Sequence, residues 1–381
     1  MKLSTFMTKF GTDDACRAHM ESVRWPFGPV CPACGSVDDA VAVSTRPGLY
    51  RCKACNKQFT VTVGTALEGS HLPLRVWFLA MYLMLSTAKP ISAMSLSKHL
   101  GIQYRTCWHL LHRLRAMLAG GEKLPLAGIV EADETYVGGK ARNRQKHREK
   151  PTRGRGTDKP MLFAAIQRGG EARTAVIPSA SALAIDPLLF GWLDRDSIFC
   201  TDELGVYDWF GRKMRRHHQV NHSAGEYART EAGTRAHVNT AEGFFGLFKR
   251  GVFGIHHHVS PKHLHRYANE HEFRYNRRRA DAGERFAAEL ARVSPATGHA
   301  AYAALADLQA ALSASEIQRR SALVMGGEPL VFDNTHRRSD GGLQHVLGHQ
   351  QHVVLEQRAL HRLAAAGLLA LGQRGQHADG A

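Results

Sequence analysis

Apolar residues fall into two textures along this chain. From residue 13 to 23, and again from Pro73 to Met117, they recur at three- and four-residue intervals, the spacing that lines one face of a helix. Trp25-Pro26 breaks the first pattern, and Pro90 and Gly101 break the second. Within the second, residues 74–85 read as one amphipathic helix. Ser92 caps another that runs to Leu100, and residues 103–114 form a third. Beyond Pro125 and Gly128 the apolar residues gather instead in short runs. Strands are expected over 128–137, Met161–Gln167 and Ala172–Ile177, the last two joined at Gly169-Gly170. Next come a helix over about 183–193, a strand over 197–201, a helix near 205–213 and a strand over about 217–222. A helix carrying Glu242 follows. This order of three strands, helix, strand, helix, strand, helix matches a ribonuclease H-like layout.

Composition narrows the partners. The 381 residues leave room for several domains, and the apolar share of 44% is ordinary for a soluble protein. The longest apolar run, residues 76–85, is too short to cross a bilayer. The opening MKLSTFMTKFGTDDA has no apolar h-region, so a cytoplasmic protein is expected. Fifty Lys and Arg against 34 acids give a net charge of +16, a field that draws polyanions. The charge is clustered: residues 140–159 hold nine Lys or Arg and two acids, and residues 262–279 add six basic residues among aromatics. No basic amphipathic helix or lipidation motif accompanies it, which favours nucleic acid over membrane. The stretch 140–159, with Pro151, Gly154 and Gly156, reads as a loop inserted between the first two strands. After about Pro295 the chain turns Ala-, Gln-, Gly- and His-rich, a helical appendage or a partly disordered extension without assigned work.

Four of the seven cysteines form two CxxC pairs, Cys31 with Cys34 and Cys52 with Cys55, seventeen residues apart. A CxxC turn lets two thiolates reach one ion from a single bend, so the four should hold Zn²⁺. Four sulfur ligands leave no open position, which makes the metal structural, and in so small a ribbon it supplies the folding energy. Cys16, Cys107 and Cys200 read as buried thiols. The segment ISAMSLSKHLGIQYRTCWHLLHRLR reads as a helix-turn-helix whose second helix enters a DNA major groove. Gln103, Tyr104, Arg105 and Thr106 would open that helix, with His109, His112, Arg113 and Arg115 further along. The competing reading is a plain helical hairpin in which Trp108, Leu111 and Leu114 fill a core.

Three acids carry the candidate chemistry. Asp133 falls within a strand, where a charge is costly unless paired or coordinated. Asp202 closes the β-rich run SIFCT, and Glu242 lies on a helix face shared with Asn239, Gly246 and Lys249. Phosphodiester chemistry at two Mg²⁺ ions needs carboxylates of this kind brought together, though each alone reads more readily as a surface or salt-bridge residue. Glu131, Glu134 and Glu203 flank the aspartates but point elsewhere or sit further along the strand.

The segments EADETYVGGK, TDELGVYDWF and HVNTAEGFFGLFKRGVFGIHHHVSPKHLHRYANEHEFRYNRR resemble the catalytic blocks of bacterial insertion-sequence transposases with an N-terminal zinc ribbon and a DDE-type core. The resemblance spans roughly residues 10–290. It implies that Asp133, Asp202 and Glu242 bind catalytic Mg²⁺ or Mn²⁺ and that Lys249 contacts DNA phosphate. Some relatives use an Asn as third ligand, which makes Asn239 the second choice. Arg250 beside Lys249 would join the DNA contacts. In the helix ending FRYNRR, Phe273 and Tyr275 are expected inward while Arg274, Arg277 and Arg278 face phosphate. The histidines at 256–258 read as a loop touching DNA.

The expected fold class is thus α/β and multi-domain: a zinc ribbon and helix-turn-helix, then a ribonuclease H-like mixed sheet flanked by helices. The boundaries are 1–27 for a helical segment, 28–68 for the ribbon, 72–119 for the helix-turn-helix, 125–290 for the core and 291–381 for the extension. The function implied is a transposase acting on terminal inverted repeats and target DNA as a homodimer or larger assembly. A DNA-binding regulator with an inactive core, or a simple nuclease, is the alternative.

Overall fold

The computed structural model describes residues 1–37, 39–87, 89–119, 123–138 and 159–292. The basic stretch 140–158 and the chain beyond 292 lie outside the described residues. Thr12 starts the first long helix: its hydroxyl accepts the Ala15 N–H at 3.2 Å, and Asp13 and Asp14 complement the helix dipole. Helices α1 (Leu3–Lys9) and α2 (Asp13–Arg24) precede a three-stranded antiparallel ribbon of β1 (Ala40–Ala42), β2 (Tyr50–Cys52) and β3 (Gln58–Phe59). Trp25 meets Tyr50 and Phe59 edge-on and closes the ribbon against α2. Then come α3 (Leu74–Ser86), α4 (Ala93–Leu100) and α5 (Tyr104–Met117). The Ser92 hydroxyl caps α4, and Gly101, at φ 66°, makes the left-handed turn into α5.

Helix α3 departs from the expected amphipathic pattern. Trp77, Phe78, Ala80, Met81, Tyr82, Met84 and Leu85 are all buried, because α2, α4, α5 and α10 surround it. One apolar cluster runs from Phe6 through the ribbon and α3–α5, so the segments 1–27, 28–68 and 72–119 share a core.

The second half contains β4 (Ile129–Tyr136), β5 (Met161–Gln167), β6 (Ala172–Ile177), α6 (Ala182–Trp192), β7 (Ile198–Asp202), α7 (Asp208–Gly211) and β8 (Arg216–Val220). A hairpin of β9 (Arg229–Glu231) and β10 (Thr234–Ala236) follows, then α8 (Asn239–Gly251), α9 (Leu264–Asn276) and α10 (Ala282–Leu290). The sheet order is β6-β5-β4-β7-β8, with β4 antiparallel to β5 and parallel to β7. This mixed five-stranded sheet is ribonuclease H-like. The helix expected near 205–213 is a 3₁₀ turn followed by the four residues of α7, and Gly211 is needed there because a Cβ would stand 2.0 Å from the His217 ring. Strand β8 stops at Val220, and residues His222–Ala224 form a separate turn.

Strand alternation sorts the sheet into two faces. Val130, Ala132, Phe163, Ala165 and Phe199 pack under α6 and α7. Leu162, Ala164, Ile166 and Ala172 meet Phe244, Phe245 and Phe248 of α8 and Leu264 and Ala268 of α9.

Helices α9 and α10 return to the N-terminal half, where Phe273, Phe286 and Leu290 complete its core. Here several expectations fail. Arg115 is buried and bonds Glu270 at 2.7 Å, while Arg274, expected at the DNA surface, is buried with Glu270 at 2.8 Å and caps the Thr87 and Met84 carbonyls. His112 is buried between Trp108 and His263. Arg113 donates to the Glu68 carbonyl at 2.6 Å and lies over the Trp77 ring. For Arg115 and His112 the cause is α9, which covers the face of α5 that would otherwise meet solvent or DNA; Arg113 is engaged on the α3 side instead.

Burial alone would raise the Glu270 pKa, but Arg115 and Arg274 overcome it and hold the carboxyl at about 2. Its stabilising contribution is therefore complete above the ordinary value of 4.5 and lost as pH falls toward 2. Glu270→Gln should flatten the acid limb of stability in that window, and Glu270→Ala, leaving two buried guanidiniums uncompensated, should cost about 3–5 kcal/mol in urea unfolding at pH 7.

Candidate active site and zinc centre

Two knuckles of the same design form the ribbon's end. The Gly35 N–H bonds the Cys31 carbonyl and the Cys31 N–H bonds the Ser36 carbonyl; Asn56, Cys52 and Lys57 repeat the pattern. Gly35 and Asn56 both take positive φ, which lets each CxxC turn back on itself. The sulfur atoms of Cys31, Cys34, Cys52 and Cys55 all lie within 4.8 Å of one another, a donor set that fits one tetrahedral Zn²⁺.

The acids are positioned by the sheet. In the parallel pairing of β4 with β7, Glu131 stands opposite Cys200. Two residues further along both strands are Asp133 and Asp202, at the same level and on the same face as Glu131. The Asp133 carboxylate accepts the Glu134 N–H at 2.8 Å, and that of Asp202 accepts the Leu204 N–H at 3.1 Å. Glu134 points to the opposite face, where the Tyr207 hydroxyl donates to it.

Glu131 proves to be more than a flanking residue. Fully buried, it accepts the N–H groups of Thr240 and Ala241 at 2.7 and 3.1 Å and the Thr240 hydroxyl at 2.8 Å. It thus caps the N-terminus of α8, the helix that carries Glu242. Arg168 pairs with Glu131 at 2.5 Å and binds the Arg235 and His237 carbonyls, while the His237 ring lies 3.1 Å from the same carboxylate. The signal was present in sequence as Glu131 two residues before Asp133, on the same strand face.

Burial, then the Glu134, Asp202 and Glu242 carboxylates, push the Asp133 pKa up to about 7. A hard cation among these oxygens would relieve that repulsion, so the donor set fits Mg²⁺ or Mn²⁺. Among the described residues only the four cysteines gather their ligand atoms within 4.8 Å of one another; the three acids form no such cluster. Glu242 is about half exposed, and Asn239 is exposed one turn earlier. The half-buried Lys249 ammonium has its pKa lowered by burial, opposed by Asp133 and reinforced by Lys159. Lys159, the last residue of the basic stretch 140–159, thus adds its charge to that of Lys249. A cavity of about 610 Å³, lined by Ala180 and residues 202–206, opens at Asp202.

Of the DNA-contact candidates, Gln103, Tyr104 and Arg105 are exposed at the start of α5 and Thr106 is partly buried. Arg250 is exposed next to Lys249. Arg277 is partly buried against the Phe273 ring, and Arg278 is exposed but donates to the Gly170 and Tyr275 carbonyls. His256 packs on Tyr267, whereas His257 and His258 are exposed. No helix among the described residues is long and apolar enough to cross a membrane.

A zinc ribbon ahead of a ribonuclease H-like sheet with carboxylates at its parallel strand ends is the plan of a transposase. Residues 11–58 match the transposase zinc-ribbon domain, and residues 125–276 match the ISXO2-like transposase domain. The chain is 32% identical over 275 residues to an uncharacterised protein in the transposable element ISH50 of Halobacterium salinarum, an alignment covering 67% of this chain and 88% of that protein. The chain belongs to the ISXO2-like, IS1595-type transposase family. The zinc-ribbon match starts earlier than the expected residue 28 and takes in α2, whose Cys16 and Met20 lie in the core that the ribbon shares with the N-terminal helices.

Chelation of the zinc should unfold the ribbon, read as metal release to a colorimetric indicator with parallel loss of Trp25 fluorescence. Glu131→Gln keeps the side-chain volume but removes the charge that holds α8. DNA strand cleavage by this transposase should fall on the order of 10–100-fold, with DNA-binding affinity unchanged in a gel-shift titration.

Proposed function

We propose that this transposase binds the terminal inverted repeats of its element, cuts a strand at each end, and joins the freed 3′-OH to target DNA. The observation that carries this reading is the placement of Asp133, Asp202 and Glu242 around one face of the sheet, with Lys249 two helical turns beyond Glu242. When bound, Mg²⁺ or Mn²⁺ would activate the attacking oxygen and stabilise the leaving 3′ oxygen. Asp133 and Asp202 would hold the ions from rigid strand ends, and Glu242 would complete the set from α8, with Asn239 as the second choice. Lys249 would hold the phosphate at the cleavage point, with Lys159 adding to the positive field. Water and a 3′-OH supply the nucleophiles, so no serine or tyrosine is required.

Gln103, Tyr104, Arg105 and Thr106 would meet the repeat, and Arg250 would extend the phosphate contacts from Lys249. Arg277 and Arg278 are weaker candidates, since both are partly engaged within the protein. Arg113 is withdrawn from this set, its guanidinium being committed to Glu68 and Trp77. Joining two ends calls for at least a homodimer on DNA, working in the cytoplasm.

The test is a strand-transfer assay with labelled element ends, a target plasmid and Mg²⁺. Asp133→Ala and Asp202→Ala should each lose strand transfer by about a thousandfold, equivalent to ~4 kcal/mol of transition-state stabilisation, while repeat binding persists. Binding without nicking by the wild type would point to a DNA-binding regulator; nicking without joining would point to a nuclease.

A further inference from the structure

The three carboxylates are not equally held. Backbone N–H groups anchor Asp133 and Asp202 on strand ends. Glu242 instead hangs from a longer side chain on the first turn of α8, 52% exposed, with His222 Nδ1 at 3.9 Å from its Oε1. A glutamate in that position samples several rotamers, and each ion it binds must first restrict them.

The surroundings of His222 are built with more care than an exposed loop requires. The residue opens the turn His222–Ala224 directly beyond β8. The Glu203 carboxylate takes the N–H groups of His222 and Ser223 at 2.8 and 3.3 Å and the Ser223 hydroxyl at 2.5 Å. The Asn221 side chain accepts the Ala224 N–H at 2.9 Å, and the Tyr227 ring packs against the imidazole with centroids 5.4 Å apart. Glu203 adjoins Asp202, so the chain segment that ends in one proposed ligand also fixes the turn facing another. The imidazole Nε2 is buried and has no hydrogen-bond partner. Among the described residues, the polar contact of this ring is the one toward Glu242.

We propose that His222 is a positioning residue for Glu242: its Nδ1 edge restricts the carboxylate to the orientation that shares a divalent ion with Asp133 and Asp202. The inference rests on those carboxylates forming the metal site. The separation of 3.9 Å is longer than a hydrogen bond, and rotation of the exposed Glu242 side chain is enough to close it. The ring then fixes one carboxylate oxygen and leaves the other for the ion, as an outer partner orients a metal ligand.

Mn²⁺ binding to the DNA-free protein, followed by the electron paramagnetic resonance signal of the free ion, tests this without reference to activity. His222→Ala should raise the Mn²⁺ dissociation constant about tenfold. His222→Asn, whose amide reaches the Nδ1 position, should recover most of that loss. Unchanged Mn²⁺ affinity in His222→Ala would overturn the proposal, as would equal weakening by both substitutions, which would mark a role in the turn alone. A nitrogen hyperfine coupling on the bound Mn²⁺ that disappears in His222→Ala would also overturn it, by making the imidazole a ligand. Asp202→Asn separates the premise from the inference: it should abolish binding, and wild-type affinity there would reject the metal site itself.

Discussion

A single buried carboxylate ties the catalytic half together. Glu131 sits on the strand that carries Asp133, yet its oxygens are spent on the first N–H groups of the helix that carries Glu242. An unpaired anion at that depth would be prohibitive; here helix dipole, Arg168, Thr240 and His237 compensate it from several directions. Strand and helix are thereby locked in register, and the distance between two proposed ligands from remote parts of the chain becomes a property of the fold. Arg168 spreads the same constraint to the carbonyls of Arg235 and His237, just before α8 begins.

The sheet supplies the complementary constraint. Parallel pairing of β4 with β7 brings the two aspartates side by side, though they lie nearly seventy residues apart in sequence. The crossover through β5, β6 and α6 makes this possible, since adjacent parallel strands need a long return path. Burial first, then the charges of Glu134 and Asp202, raise the Asp133 pKa.

Much of this was legible in the chain. Strands β5 and β6 begin and end where the apolar runs place them, and Ser92, Gly101 and the CxxC knuckles mark their turns by residue chemistry that permits few alternatives. What stayed hidden depends on tertiary cover. The bases Arg115, Arg274 and His112 look solvent-facing on a helical wheel, and only α9 packing against α5 buries them. The β9–β10 hairpin turns at Ala232 and Gly233, both at positive φ, and Ala-Gly is a weak turn signal beside Asn-Gly. Glu131 was visible as a neighbour of Asp133; its role as a cap required knowing where α8 ends up.

The buried junction of Arg115, Glu270 and Arg274 bears on modularity. Laid out linearly, ribbon, helical segment and catalytic sheet look like cassettes that evolution or an engineer could exchange at their seams. The hydrophobic floor beneath the N-terminal helices, however, is finished by Phe273, Phe286 and Leu290 from the far side of the sheet. A graft cut at residue 120 would strand those side chains and split a charge network between donor and recipient. An exchange of the front end would therefore have to carry α9 and α10 with it, or replace the contacts they make.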